Sequence, residues 1–342
     1  MTLCRRIRAS SCSDRASAGT ALRLCAAVAA AGILAPAARA DHGPGTTGGS
    51  TTPSGETLKS GKLSLGFRWD YSQFESLNSA EIEHKAERVH GEDAHFDALR
   101  WNMLFAVDLA YGVLDDFQLG VSTGFYRGDD VREAHHEETG EVELHDHGDV
   151  TGVTDLWVNA KYRVLKGPYG HWALLGGIKF PTGRDDVRSD DDGERLEPSL
   201  QPGSGAFDFL LGTAYSVWLA EGWMLDAGVS YTFRTENDEF QLGDRFDAGA
   251  AVTLIVLGNP QNFPMVGIYL EPSLRHIQRN IEDSHHVDNS GGTVIFLSPG
   301  VRVALNERFS FMAAPQFPVL QELNDEQQET LFKVLAGFTI TF

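Results

Sequence analysis

Cysteine is nearly missing from this chain of 342 residues: its only three, Cys4, Cys12 and Cys25, fall before position 26. Beyond that point disulfides, thiolate metal sites and a cysteine nucleophile are excluded. Long apolar runs are missing too. After about residue 36 nothing approaches the roughly 18 consecutive apolar residues of a membrane helix, which excludes a helical transporter. Basic charge is scarce, with 28 Lys and Arg against 48 Asp and Glu and a formal charge of −20. Nucleic acid is therefore not an expected partner, because binding it needs clustered cations for phosphate.

The N-terminus reads as a processing segment. Arg5, Arg6, Arg8, Arg15 and Arg23 precede the apolar stretch LCAAVAAAGIL (24–34), and Ala38-Arg39-Ala40 has the small-x-small form of a secretory cleavage site. Residues 1–40 are thus predicted to be a signal peptide, with Asp41 the first residue of the exported protein. Leu24 is too bulky before Cys25 for lipoprotein processing. Residues 41–57 begin DHGPGTTGGSTTPSGE, with almost nothing apolar to offset their ordering entropy, and read as a flexible periplasmic leader or a plug.

From residue 58 the dominant signal has period two. In KLSLGFRWDY, Leu63, Leu65, Phe67, Trp69 and Tyr71 share one face, and Ser64, Gly66, Arg68 and Asp70 the other. The pattern recurs with apolar faces such as Trp101-Met103-Phe105-Val107 and Phe338-Ile340-Phe342, giving twelve predicted strands. Short connections, for example Leu114-Asp115-Asp116 and Ala220-Glu221-Gly222, alternate with long ones at 73–95, 127–152, 182–206, 234–244, 281–291 and 319–329. Strands of about ten residues, with short turns at one end and long polar loops at the other, predict an all-β transmembrane barrel of the outer-membrane type over residues 58–342. A soluble β-sandwich is the competing fold. It is disfavoured because one face carries repeated charges and the other none, and because aromatics gather near both strand ends as bilayer interfaces favour. Phe342 ends the last strand, as in barrels delivered to the outer-membrane assembly machinery.

The stretches GDVTGVTDLWVNAKYRV (148–164), GIKFPTGR (177–184) and LQPGSGAFDFLLGTAYS (200–216) resemble the outer-membrane transporter family named for the meta-cleavage pathway of phenol degradation. The resemblance covers about residues 145–235. It implies an outer-membrane channel for small, often aromatic or hydrophobic compounds, and carries no catalytic residue.

Strand parity predicts the inward wall. It places Lys62, Arg68, Arg100, Lys161, Arg163, Lys179, Arg234, Arg275, Arg302 and Lys333 against Asp70, Asp108, Asp208, Asp226, Asp247 and Glu271 in a lumen that leans cationic. These side chains read equally as ion pairs filling a narrow barrel and as a charged conduction path. The long loops read acidic, and suit divalent ions bridging lipopolysaccharide. Histidines concentrate in the first two: His84, His90 and His95, then His135, His136, His145 and His147. Imidazoles beside carboxylates suit zinc, copper or nickel, yet the spacing matches no established metal motif. Surface metal binding is therefore an alternative function, and a loop-bound divalent ion the only cofactor the sequence suggests. A hydrolase is a third reading. No G-x-S-x-G elbow, no H-E-x-x-H helix and no His-Ser pair on one outer strand face support it, so no enzyme activity is expected. The expected partners are outer-membrane lipid and lipopolysaccharide, the assembly machinery through Phe342, and a small-molecule solute.

Overall fold

The computed structural model describes residues 47–89, 95–136, 142–191 and 193–342. The predicted signal peptide and the start of the predicted leader lie outside the described residues. Twelve long strands form the wall: β1 (Leu63–Phe74), β2 (Trp101–Leu114), β3 (Phe117–His136), β4 (Leu156–Gly167), β5 (Gly170–Phe180), β6 (Asp208–Ala220), β7 (Trp223–Arg234), β8 (Arg245–Asn259), β9 (Asn262–Ile277), β10 (Gly292–Ala304), β11 (Phe309–Leu323) and β12 (Thr330–Thr341). Each pairs antiparallel with its sequence neighbours, and β12 returns to β1 in a register that runs from Thr341 opposite Ser64 to Phe332 opposite Gln73. The twelve strands make a closed barrel. Closure matters because lipid offers no partner for an unpaired backbone edge.

The burial is inverted relative to a soluble sandwich. Phe105, Leu211 and Val256 are 53%, 62% and 52% exposed, whereas Asp226 and Glu271 are fully buried. Apolar side chains face outward and charges face inward, as a bilayer requires. Outward aromatics also join neighbouring strands: the Phe338 ring of β12 lies 4.7 Å from Phe311 of β11 and 6.4 Å from Phe67 of β1. Such pairs contribute roughly 0.5–1.5 kcal/mol each.

The long-loop end departs from the expectation of plain loops. In the first connection lies a helix, α1 (Ser79–Ala86). Asn78 caps it reciprocally: its side chain accepts from the Glu81 N–H at 3.1 Å, and the Glu81 carboxylate accepts from the Asn78 N–H at 2.8 Å. Ile82 and Ala86, one turn apart, pack on Phe96 and Ala98 of a short strand (His95–Ala98) and on Ala134 of β3. The second connection, expected as a loop over 127–152, is a continuation of the sheet. β3 runs to His136 and pairs with an added strand, Val142–Val153. What holds it is a small second core in which Val131 and Val150 meet Val187 and Leu196 of the third connection.

The ladders on both sides of β11 are interrupted. The β11–β12 ladder runs from Phe309 opposite Ile340 to Gln316 opposite Lys333 and stops there. Beyond it, only the Gln321 side chain spans the gap among the described residues. Its Nε2 donates to the Thr330 carbonyl at 3.2 Å and its Oε1 accepts from the Thr330 N–H at 3.0 Å. On the other side, the β10–β11 ladder skips Ser298, Pro299 and Gly300 opposite Ala314, Pro315 and Gln316. Two prolines oppose one another there, and neither has an N–H to give.

Candidate functional site

The lumen is not empty space between charged walls. Residues 49–58 cross it, from the β9–β11 side to the β3–β6 side, and the inward charges of the lower barrel hold them there. Glu271 of β9 is the main anchor. Its carboxylate accepts from the backbone N–H groups of Ser50, Thr51 and Thr52 at 2.6, 3.0 and 2.7 Å, and from the hydroxyls of Thr51 and Thr52 at 2.9 and 2.7 Å; the Ser50 hydroxyl donates as well. Only glycine fits beside this cluster at position 49, where a Cβ would sit 2.4 Å from the Glu271 Oε1. Arg302 of β10 donates to the Gly49 carbonyl at 3.2 Å, and Gln316 of β11 to the Ser50 hydroxyl at 3.3 Å.

On the opposite wall, Lys161 of β4 donates to the carbonyls of Ser54 and Glu56 at 2.9 and 3.2 Å. Ser216 of β6 accepts from the Gly55 N–H at 2.8 Å and itself donates to Asp226. Gln118 of β3 accepts from the Leu58 N–H at 2.9 Å. These bonds pair backbone N–H groups and carbonyls of a polar segment with the wall, which offsets the cost of burying them.

The residues expected to line the lumen thus divide into two groups. Glu271, Arg302, Lys161 and Asp226 hold the crossing segment directly or through Ser216. Arg163 serves the wall, its Nη2 2.7 Å from Asp116 in the β2–β3 turn. Nearer the long-loop end, Lys179 pairs with Asp208 at 2.7 Å and Asp155 at 3.2 Å, and Arg68 with Asp70 at 3.1 Å. Asp247 takes both Arg245 and Arg275, at 2.5 and 2.9 Å. Asp108 faces the cavity that Arg68 also lines. Lys333 lies 5.9 Å from the Phe296 ring. Arg100 departs from the expectation: it stands at the rim, 57% exposed, 3.1 Å from Asp129. Sequence parity misses Arg245, because the apolar series of β8 starts one residue later at Phe246, and it misses Ser216 and Gln118 because neutral side chains carry no charge signal. Cavities of ≈590 and ≈780 Å³ flank the crossing segment, both lined by Thr51, Pro53 and Arg68.

The histidines are only partly gathered. His84 sits apart and exposed, 3.2 Å from Glu87, and His90 lies outside the described residues. His136 closes β3. His135, His145 and His147 stack in a row, with ring centroids 4.9 and 6.4 Å apart. His95 instead meets carboxylates: its Nε2 is 3.5 Å from Glu197 and 3.7 Å from Asp97, and one ligand atom from each of the three lies within 4.8 Å of the others. Burial alone would lower the His95 pKa, but Asp97, Glu197 and Glu133 outweigh it and raise it to about 11. Burial pushes Glu197 up to about 8 against the pull of His95. Glu133 is also buried, yet its hydrogen bond from His147 and the charges of His95, His147 and His135 hold it below its ordinary value. The G-x-S-x-G match at Gly120–Gly124 lies mid-strand in β3, where it forms no nucleophile elbow.

Residues 42–319 match the family described as "Putative MetA-pathway of phenol degradation". Among solved structures the chain is similar to the COG4313 outer membrane channel from Pseudomonas putida F1, at 15% identity and a TM-score of 0.60, covering 84% of this chain and 97% of that one. That likeness shows a shared barrel fold. The Pseudomonas putida toluene transporter TodX aligns at 10% identity and a TM-score of 0.43 over 87% of this chain and 91% of its own, too distant to carry an argument. No curated protein matches.

Proposed function

The chain belongs to the phenol-degradation MetA-pathway family, and from that premise we propose that it is exported by a signal peptide at residues 1–40 and works as an outer-membrane channel for small aromatic or hydrophobic solutes. The observation that carries this reading is the crossing segment. A hydrophilic pore needs a continuous wet path, whereas residues 49–58 bridge the lumen and are tied to both walls by buried groups. A hydrophobic solute has another way out. It enters from the long-loop end, reaches the cavities beside Ser50–Pro53 and turns aside through the wall at β11, where the ladders are interrupted. Hydrocarbon receives an apolar solute that water would reject.

Single-channel recording tests this, comparing protein that starts at Asp41 with protein lacking residues 41–57. The expected result is small or absent steps from the first and stable ohmic steps from the second. Equal conductance would remove the segment from the mechanism, and silence from both would remove the channel.

A second reading, a divalent metal held at the long-loop end, is favoured by the convergence of His95, Asp97 and Glu197, a donor set that suits zinc or copper. Zinc titration would then weaken on His95→Ala and stay unchanged on His84→Ala. Equal effects would discard it.

A further inference from the structure

The cavity above the crossing segment holds more cationic donors than its internal ion pairs use. Arg245 and Arg275, on adjacent strands, both bond Asp247 through Nε. Bonding at Nε leaves the terminal Nη groups of each guanidinium, and among the described residues neither arginine donates from them. Lys333, across the barrel on β12, has no carboxylate or carbonyl on its Nζ among the described residues; its contact is the Phe296 ring, 5.9 Å away. Arg234, beside Arg245 at the same height, gives Nη1 to the Gly243 carbonyl at 3.1 Å, while its Nε is buried without a partner. Around the ≈590 Å³ cavity stand four cations, Arg68, Arg245, Arg275 and Lys333, and two carboxylates, Asp70 and Asp247.

An excess of two positive charges in a sheltered wall is unfavourable by itself, since like charges repel strongly where water is displaced. An anion supplied from outside relieves it. Guanidinium Nη pairs match the two oxygens of a carboxylate in plane and spacing. The lining also offers apolar side chains, Phe74, Leu104, Leu274, Val294, Phe296 and Leu335, among hydroxyls and amides such as Ser72, Asn102 and Gln316. The volume lies in the range of roughly 300–1,000 Å³ typical of small-molecule sites.

We propose that this cavity recognises an organic carboxylate: an anionic headgroup held by Arg245, Arg275 and Lys333, on an apolar body lying along Phe296 and Leu335. The inference rests on the channel reading and narrows its solute class. The placement also links the site to the wall, because Lys333 forms the last β11–β12 pair before that ladder stops. A headgroup anchored there holds its apolar body beside the interrupted strand.

Binding to the purified protein in detergent, followed by calorimetry with decanoate and with decanol, tests this without requiring passage. The two probes share an apolar body and differ in the charge. The expected result is a decanoate preference of about tenfold or more, as charge-assisted hydrogen bonds give, which Arg275→Gln and Lys333→Gln each largely abolish while decanol binding stays unchanged. Arg279→Gln, which removes a rim charge paired with Asp288 at 2.8 Å, should leave the preference intact. Heat-modifiable gel migration identifies the folded variants, and the two substitutions on separate strands check each other. Equal binding of the two probes, or a preference that survives both substitutions, would overturn the proposal. A lost preference also in Arg279→Gln would assign it to overall charge and overturn it equally. Conductance by protein lacking residues 41–57 is read separately, so failure here and failure of the channel reading are distinguishable.

Discussion

At the scale of single residues, the informative position is Glu271. A carboxylate buried among apolar groups is costly unless its lone pairs are filled, and here three backbone N–H groups and three hydroxyls fill them. Hydrogen bonds to a charged group contribute roughly 1.5–3 kcal/mol each, though not additively. Glu271→Ala should therefore release residues 49–54. Protein that starts at Asp41 has no cysteine, so Ser50→Cys can report the release by its reaction with a membrane-impermeant thiol reagent. Labelling should be slow in the Ser50→Cys protein and at least about tenfold faster with Glu271→Ala added, as a loss exceeding 1.4 kcal/mol implies. Gly249→Val should do the same without touching a charge, because a Cβ at 249 would meet the Thr52 Oγ1 at 2.3 Å. Unchanged labelling in both would mean that the wall does not hold the segment. Parity alone places Glu271, Lys161 and Arg302 on the inner face. Their partner is illegible in sequence, since a Gly-, Ser- and Thr-rich stretch has no core of its own to form; its order comes from hydrogen bonds that the wall supplies.

At the scale of elements, what was legible depends on where water and lipid lie. Each wall strand separates two unlike environments, so its alternation is strong and all twelve can be read from sequence. Above the membrane both faces of a strand meet polar surroundings. The extension of β3 to His136 therefore carries only scattered apolar residues, Val131 and Ala134, and reads as loop. Helix α1 had one legible signal, the Asn78-x-x-Glu81 capping pair. The prolines of β10 and β11 carry a prediction at this scale. Pro299 and Pro315 each withhold a ladder donor from a wall that lipid cannot solvate. Replacing both with Val should restore pairing, contributing about 0.5–1.5 kcal/mol per bond, and so raise the temperature at which the barrel shifts on a heat-modifiability gel. If β11 is the exit, the same variant should take up an apolar fluorescent probe into liposomes more slowly than the parent protein. A stabler barrel with undiminished uptake would place the exit elsewhere.

At the scale of the whole molecule, two opposed charge distributions compete for control of a passing ion. The chain's formal charge is −20, and the acidic long connections form its outer rim. Much of that rim is internally compensated: Arg195 lies 3.1 Å from Asp238, Arg279 2.8 Å from Asp288 and Arg88 3.0 Å from Glu326. What remains is exposed and screened within about 8 Å at physiological salt. The inner charges are sheltered and stand at the walls of the path, so they act at shorter range and in a lower dielectric. In the lower lumen Lys161 and Arg302 offset Asp226 and Glu271 once the crossing segment is gone; in the upper lumen the four cations around the ≈590 Å³ cavity outnumber their two carboxylates. Protein lacking residues 41–57 should accordingly select anions, with a reversal potential of that sign in a potassium chloride gradient that shrinks as both salt concentrations rise. Lys333→Gln should weaken the selectivity, and removing rim carboxylates such as Asp186 should barely move it. Cation selectivity would instead put control at the acidic rim, and with it the first contact that a solute makes.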